Sequence, residues 1–217
     1  MTYYNENPTT RIRRHPERAR YDREQVWAVL DEGLVAHVGF CAEEGPVVVP
    51  MVYARSGDTL YLHGSPAAGL LRALSPGARA CVTVTLVDGL VLARVAFSHS
   101  LNYRSVMAFG QAHLVSDADE HLAALDLVVE HLVPGRTADL RRHTRKELAA
   151  TKVVAFRIES ASAKIRTGPP LDDEADLDEP VWAGVLPLRV VPGEPEADPK
   201  LVPGTPVPAS VGHYRRP

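Results

Sequence analysis

The chain has 217 residues, of which 45% are hydrophobic and 24% are charged, and its formal net charge is −3. This balance argues against a nucleic-acid or membrane-surface partner, and no apolar run approaches the roughly 18 residues that span a bilayer. The first residues lack the apolar stretch of a secretory signal, and Cys41 and Cys81 cannot form a disulfide framework. We therefore expect a cytoplasmic protein with buried thiols.

The two ends of the chain differ in composition from its middle. Residues 1–20 form a polar arm with five arginines, which we expect to lie in solvent over its own domain or over a partner subunit. Residues 189–217 hold seven of the eighteen prolines and predict an extended tail. The folded domain is therefore predicted over residues 21–188. The arginines of the arm are Arg11, Arg13, Arg14, Arg18 and Arg20.

One helix and three strands are predicted next. Asp22 and Gln25 have the spacing of a capping box, and Gly33 ends the helix. Alternating apolar residues predict strands over residues 34–41, 46–54 and 59–63. Pro50 lies within the second strand, and because proline donates no ladder hydrogen bond we expect it at an edge, at a bulge or beside a ligand.

The stretch His63-Gly64-Ser65-Pro66 is the first polar junction at the end of a strand. Ser65 suits an N-cap and Pro66 suits the first helical turn, so a helix is predicted over residues 67–74, stopped by Ser75-Pro76-Gly77. Helix amino termini attract anions, and Arg72 would add positive charge. An ordinary capped helix explains the same pattern without a ligand.

Residues 98–110 form the second junction, a polar turn that continues into a strand to residue 115. Arg104 and Ser105 stand at the mouth of this strand, where such side chains suit an anion, most simply a phosphate. A capped hairpin with a surface arginine is the alternative.

The remaining pattern alternates strands and helices. Asp88-Gly89 predicts a hairpin between strands at residues 80–87 and 90–97, and we expect Arg94 in the second strand to meet solvent, an acidic partner or a ligand. Asp117 is predicted to cap a helix that reaches residue 132, with an apolar stripe that we interpret as core. A helix over residues 140–149, a strand over 151–160 and a basic, turn-rich segment over 162–170 follow.

Six or seven mostly antiparallel strands with about four helices predict a mainly β fold with flanking helices, a small barrel and not a parallel sheet. The sequence contains no nucleophile elbow, no Walker loop, no dinucleotide fingerprint and no His-Glu-x-x-His zinc pattern. We therefore expect no metal site, and we expect ligand chemistry at the polar strand ends.

Several segments in order resemble the pyridoxamine 5′-phosphate oxidase-related flavin-nucleotide-binding proteins, a branch that includes the nitroimidazole-resistance (Nim-type) reductases. The resemblance covers residues 15 to about 187 and leaves out the tail. Its most specific pieces are Tyr61-Leu62-His63-Gly64-Ser65 and Asn102-Tyr103-Arg104-Ser105-Val106. Further matching pieces are Arg18-Ala19-Arg20-Tyr21-Asp22-Arg23, Leu30-Asp31-Glu32-Gly33, Val48-Val49-Pro50-Met51-Val52-Tyr53, Asp88-Gly89-Leu90-Val91-Leu92-Ala93-Arg94 and Lys164-Ile165-Arg166-Thr167-Gly168-Pro169-Pro170.

The resemblance implies a split β-barrel that binds FMN at a homodimer interface. By analogy, the flavin ring lies along Val49-Pro50-Met51, and residues of both polar junctions hold the phosphate. Relatives also bring the carboxyl-terminal region toward the partner's flavin. The cofactor-binding residues expected in this way are Val49, Pro50, Met51, His63, Gly64, Ser65, Arg72, Thr83, Tyr103, Arg104, Ser105, Val106, Lys164, Arg166 and Trp182.

The expected function is that of an FMN-dependent oxidoreductase that passes electrons from a nicotinamide donor to an unknown small acceptor. No protein nucleophile is required, because the cofactor performs the electron chemistry. A flavin carrier or sensor without turnover fits the same sequence, and deazaflavin F420 is an alternative cofactor. Haem binding is a third hypothesis, with His99, His63 or His113 as the axial ligand.

Overall fold

The structure is a computed structural model that describes residues 2–75 and 77–215. Met1, Pro76, Arg216 and Pro217, which belong to the predicted arm, helix stop and tail, lie outside the described residues. The strands are β1 (Ala19–Arg20), β2 (Val35–Ala42), β3 (Gly45–Ser56), β4 (Thr59–Gly64), β5 (Arg79–Leu92), β6 (Ser100–Leu114), β7 (Lys152–Arg166) and β8 (Gly184–Pro187). The helices are α1 (Arg23–Glu32), α2 (Gly69–Leu74), α3 (Ala118–Leu132), α4 (Arg145–Ala150) and α5 (Ala209–Gly212).

The strands pair into a mainly β fold, as predicted. Their order in the sheet is β1-β7-β4-β3-β2-β5-β6, with β8 paired to β5 and a further pairing between β7 and β6. The path therefore closes on itself, as a split barrel requires. The pairs of β1 with β7, β2 with β3, β3 with β4, β4 with β7 and β5 with β8 are antiparallel.

The chain packs as two compact units. The first unit contains residues 1–33, 83–108 and 160–190, and the second contains residues 34–82, 109–159 and 191–217. The arm belongs to the first unit, where Tyr4 and Thr10 are buried and the amide of Tyr4 donates to the carbonyl of Tyr21. Every helix in residues 2–75 and 77–215 is too short or too polar to cross a lipid bilayer.

The predicted caps of the two long helices are confirmed. The side chain of Asp22 accepts a hydrogen bond from the amide of Gln25 at the start of α1. The side chain of Asp117 accepts hydrogen bonds from the amides of Asp119 and Glu120 at the start of α3. These bonds satisfy amides that have no partner within the helix. The core stripe of α3 is only partly confirmed, because Leu125 is buried while Leu122 is 38% exposed.

The predicted hairpin at Asp88-Gly89 is wrong. β5 runs through both residues without turning, and β8 pairs beside it, with Gly89 opposite Pro187. A Cβ atom on Gly89 would lie 3.0 Å from the carbonyl oxygen of Leu186. The glycine therefore admits a neighbouring strand and does not form a turn.

Two element boundaries also differ from the prediction. α2 begins at Gly69, and Ser65 caps a turn instead, in which its Oγ accepts from the amide of Ala67 at 3.3 Å. The anion-binding helix terminus predicted after Ser65 is therefore absent there. β7 continues to Arg166, so the predicted turn-rich segment is largely strand, and the chain turns at Gly168, which has a φ of 100°.

In the second unit, β6 passes unusually close to β7 at Gly110. A Cβ atom at this position would lie 1.8 Å from the carbonyl oxygen of Arg157. Only glycine allows the two backbones this approach. The neighbouring residues Ala108 and Ala112 are also small and fully buried.

Replacing Gly110 with alanine is expected to destabilise the fold by about 3 kcal/mol or more, because a backbone atom must move to accept the methyl group. The measurement is the free energy of unfolding in urea. Gly69→Ala is the matched control, since nothing lies within 4 Å of its added Cβ, and it should be neutral or stabilising by up to about 1 kcal/mol. Equal stability of the two variants would contradict the close approach.

Candidate functional site

The residues expected to bind a cofactor divide between the two units, and each unit is described by itself. The second unit contains Val49, Pro50, Met51, His63, Gly64, Ser65 and Arg72. The first unit contains Thr83, Tyr103, Arg104, Ser105, Val106, Lys164, Arg166 and Trp182.

Arg104 of the first unit is bound by two carboxylates. Its Nε and Nη2 donate to Asp88 at 3.0 and 2.7 Å, and its Nη1 and Nη2 donate to Glu32, the latter at 2.8 Å. The bonds to Glu32, and then those to Asp88, raise the pKa of Arg104. The guanidinium thus joins the last residue of α1 to β5 and β6. Two carboxylates outweigh its single positive charge, so this cluster does not favour a phosphate, and the phosphate role of Arg104 stays a prediction.

Arg166 has the opposite surroundings. Arg166 is only 5% exposed. Its guanidinium donates to the side-chain oxygen of Asn102 and to the carbonyl oxygens of Gly168 and Pro169, the last at 3.1 Å. All of these acceptors are neutral. Burial, and then the charge of Arg18, lower the pKa of Arg166, while Tyr103 acts in the opposite direction. Arg166 is therefore a buried cation without a carboxylate partner among the described residues.

Arg18 is a largely buried residue that the sequence analysis did not single out, because the arm was expected to lie in solvent. Its side chain is only 18% exposed. The short strand β1 pairs Ala19 with Lys164 of β7, which places Arg18 beside the end of β7 that carries Arg166. The signal in the sequence was the stretch Arg18-Ala19-Arg20, which lies within the part that resembles flavin-binding relatives.

The other predicted residues of β6 and β7 meet at the same pair of strands. Ser105 Oγ donates to the carbonyl oxygen of Lys164 at 3.4 Å. Tyr103 is half-buried, whereas Val106 is fully buried. The first unit thus brings Tyr103, Ser105, Lys164 and Arg166 together around one strand pair.

Three further residues of the first unit have other surroundings. Arg94 meets an acidic partner, one of the three expected alternatives, because Asp172 accepts from its amide at 3.2 Å and from its Nη1 at 3.0 Å. The Asp172 side chain is fully buried. Trp182 is 68% exposed, and its ring lies over Gly184, 2.9 Å from where a Cβ would stand. Thr83 is half-buried in β5.

In the second unit, β2 and β3 present an exposed face that is apolar apart from His37. Their register places His37 opposite Pro50 and Gly39 opposite Val48. Val48 is 63% exposed, and Val35 at the end of the same face is 45% exposed. Val49 and Met51 point to the other face of β3 by strand alternation. Pro50 therefore lies on a flat, apolar surface, in the part of β3 that precedes its pairing with β4.

His63 is an unusual residue of the second unit. It pairs with Val153 in the sheet, and its Nδ1 is buried without a hydrogen-bond partner among the described residues. Burial lowers the pKa of His63, so its imidazole is neutral at pH 7. Gly64 next to it packs against Leu71 of α2, whereas the side chain of Arg72 is exposed. Within residues 2–75 and 77–215, no three His, Cys, Asp or Glu side chains cluster as a metal site would require.

Replacing Arg104 with alanine is expected to destabilise the fold by about 2–4 kcal/mol, because two half-buried carboxylates lose their cation. The free energy of unfolding measures the effect. Arg141→Ala is the matched control, since it removes an exposed ion pair with Glu147, which water screens, and it should change the stability far less. Adding Glu32→Gln and Asp88→Asn to the Arg104 variant should restore part of the loss. A folded variant of unchanged stability would contradict the structural role of Arg104.

Comparison with known proteins extends these observations. The family model described as pyridoxamine 5′-phosphate oxidase matches residues 22–165. No curated protein sequence matches the chain at a significant level. The chain is 43% identical to the flavocytochrome Anf3 from Azotobacter vinelandii, covering 97% of this chain and 98% of that one, with a TM-score of 0.90.

Two further solved structures are similar. The FAD and heme binding protein from Mycobacterium smegmatis is 40% identical over 90% of this chain and 96% of that one, with a TM-score of 0.86. A protein from Bacteroides thetaiotaomicron, assigned to 5-nitroimidazole antibiotic resistance, is 27% identical over 68% of this chain and 86% of that one, with a TM-score of 0.57. The family model alone spans well over half of the 217 residues. The chain therefore belongs to the pyridoxamine 5′-phosphate oxidase family.

Proposed function

We propose that the chain binds a flavin nucleotide and transfers electrons through it. The observation that carries this proposal is the similarity to the flavocytochrome Anf3, at 43% identity over 97% of the chain. The name of the Mycobacterium smegmatis neighbour also includes a flavin, FAD. FMN is the nucleotide expected from the sequence, and FAD is the alternative that the Mycobacterium smegmatis neighbour favours.

The chain's own residues suit the binding and orientation of such a cofactor. The exposed face of β2 and β3, with Val48 and Pro50, offers a flat apolar surface for a ring system. When bound, the flavin supplies the redox chemistry, and the protein supplies position and electrostatics.

We further propose that a nicotinamide nucleotide donates the electrons, that a small molecule accepts them, and that the protein acts as a homodimer. The apolar face of β2 and β3 supports the dimer proposal, because exposed valines such as Val35 and Val48 gain from being covered. A carrier or sensor without turnover remains the second form of the same proposal. Anaerobic addition of NADH or NADPH to the flavin-loaded protein distinguishes the two, since only an oxidoreductase will bleach the flavin and pass the electrons on.

The flavin proposal is tested on the purified full-length protein. We expect its absorbance spectrum to contain the flavin bands, and we expect the apoprotein to bind added FMN or FAD with quenching of flavin fluorescence. Identifying the flavin released by denaturation then distinguishes FMN, FAD and F420. A colourless protein that binds none of these cofactors would overturn the proposal.

Haem binding is the second candidate, favoured by one observation in the second unit. The buried, unpartnered Nδ1 of His63 belongs to a neutral imidazole, and neutral imidazole is the form that ligates haem iron. His99 and His113, the other two expected ligands, differ: His99 Nδ1 lies 3.0 Å from the carbonyl oxygen of Val95, and both residues are exposed. Two of the similar structures are a flavocytochrome and a heme binding protein.

Titration with hemin tests the haem candidate and its ligand together. We expect the wild-type protein to shift the Soret band, and His63→Ala to weaken hemin binding at least tenfold through loss of the axial bond. His99→Ala and His113→Ala are the matched controls and should bind as the wild type does. No Soret shift in the wild type would remove haem, and equal binding by all three variants would remove His63 as its ligand.

A further inference from the structure

We propose that Arg18 and Arg166 form an oxyanion site in the first unit and that its ligand is a phosphoryl group of the bound flavin nucleotide. The two residues come from the arm and from the end of β7, which β1 brings together by pairing Ala19 with Lys164. This inference rests on the proposed flavin-binding function. It assigns a ligand to Arg18, which the sequence left in solvent, and a chemical role to the buried charge of Arg166.

The first unit supplies carboxylates to its structural arginines. Arg104 is matched by Glu32 and Asp88, and Arg94 is matched by the fully buried Asp172. Arg166 is more deeply buried than either, yet its acceptors are an amide oxygen and two backbone carbonyls. A buried cation normally needs a counter-charge, because neutral acceptors repay only part of its lost hydration. The missing counter-charge is therefore expected from a ligand.

Arg18 adds a second positive charge beside Arg166, whose own charge has no carboxylate partner among the described residues. Its Nε lies 3.5 Å from a carboxylate oxygen of Glu17, but the side chain of Glu17 is 64% exposed, so water screens this contact. The mutual repulsion of Arg18 and Arg166 destabilises the empty site, in agreement with the lowered pKa of Arg166. Lys164, two residues before Arg166 on the same face of β7, increases the positive potential further.

A phosphoryl group fits this set of donors. Guanidinium groups bind phosphate oxygens through two parallel N–H donors, and two arginines with a lysine match a group of about two negative charges. Tyr103 beside Arg166 offers a further donor to the same oxygens. FMN and FAD carry phosphoryl groups, whereas riboflavin carries none, which makes the flavins themselves the probe.

The test compares wild type, Arg18→Gln and Arg20→Gln, each titrated with riboflavin, FMN and FAD at constant ionic strength. We expect Arg18→Gln to lose about 10- to 100-fold in affinity for FMN, FAD or both, and to keep its affinity for riboflavin. Arg20→Gln is the matched control on the same arm, because the Arg20 guanidinium donates to the carbonyls of Glu17 and Ala19, and it should bind all three flavins normally. Arg166→Lys, which keeps the charge and loses the two-pronged donor, should resemble Arg18→Gln.

A second measurement separates a binding role from a structural one. Without phosphoryl ligands, Arg18→Gln should be at least as stable to heat as the wild type, since it relieves repulsion between two cations. Addition of inorganic pyrophosphate should raise the melting temperature of the wild type more than that of Arg18→Gln. If pyrophosphate stabilises the wild type while FMN and FAD affinities are unchanged in the variant, the site takes free phosphate and the flavin assignment is wrong.

The remaining outcomes are also decisive. Absence of binding of riboflavin, FMN and FAD by the wild type would refute the proposed function itself. Normal binding of all three flavins by both Arg18→Gln and Arg166→Lys would refute only the oxyanion site. An unstable Arg18→Gln variant with normal flavin affinity would make Arg18 a structural residue.

Discussion

The need to compensate buried positive charge organises the first unit. Arg104 joins the end of α1 to β5 and β6, because Glu32 and Asp88 each bind its guanidinium through two oxygens. Asp172, in the segment after β7, likewise accepts hydrogen bonds from Arg94. Carboxylates and guanidiniums that leave water together lose much less free energy than either group alone. Arg166 does not follow this pattern, because all of its acceptors are neutral. We therefore proposed a ligand as its counter-charge.

Close approach of backbones is the second constraint, and it explains Gly89, which local rules misread, and Gly110. Gly89 follows an aspartate, which is the usual sequence of a tight hairpin, yet β5 passes straight through it. β8 lies beside this glycine, and Asp88 turns its carboxylate to Arg104. Gly110 likewise allows the backbone of β7 to pass close to the backbone of β6. In both cases a long-range partner that the local sequence does not contain decides the conformation.

The second unit contributes a different chemistry. Its exposed face of β2 and β3 is apolar, and His63 is neutral with an unpartnered buried nitrogen. These features suit a flat, conjugated cofactor more than an ionic substrate. Similarity to the flavocytochrome Anf3 extends over 97% of the chain, and therefore well beyond residues 22–165 that the family model matches. The similarity therefore includes most of the basic arm that carries Arg18.

The sequence by itself determined the elements whose causes are local. Asp22 and Asp117 cap α1 and α3 because a cap needs only a side chain and an amide two or three residues away. The polar pieces around His63 and Arg104 likewise sufficed to indicate the family. Only the tertiary structure decided which arginines have carboxylate partners, since Glu32 and Asp172 are 72 and 78 residues distant from theirs. Electrostatic pairing depends on distance in space, so Arg104 and Arg166, alike in sequence as strand arginines, differ in their partners.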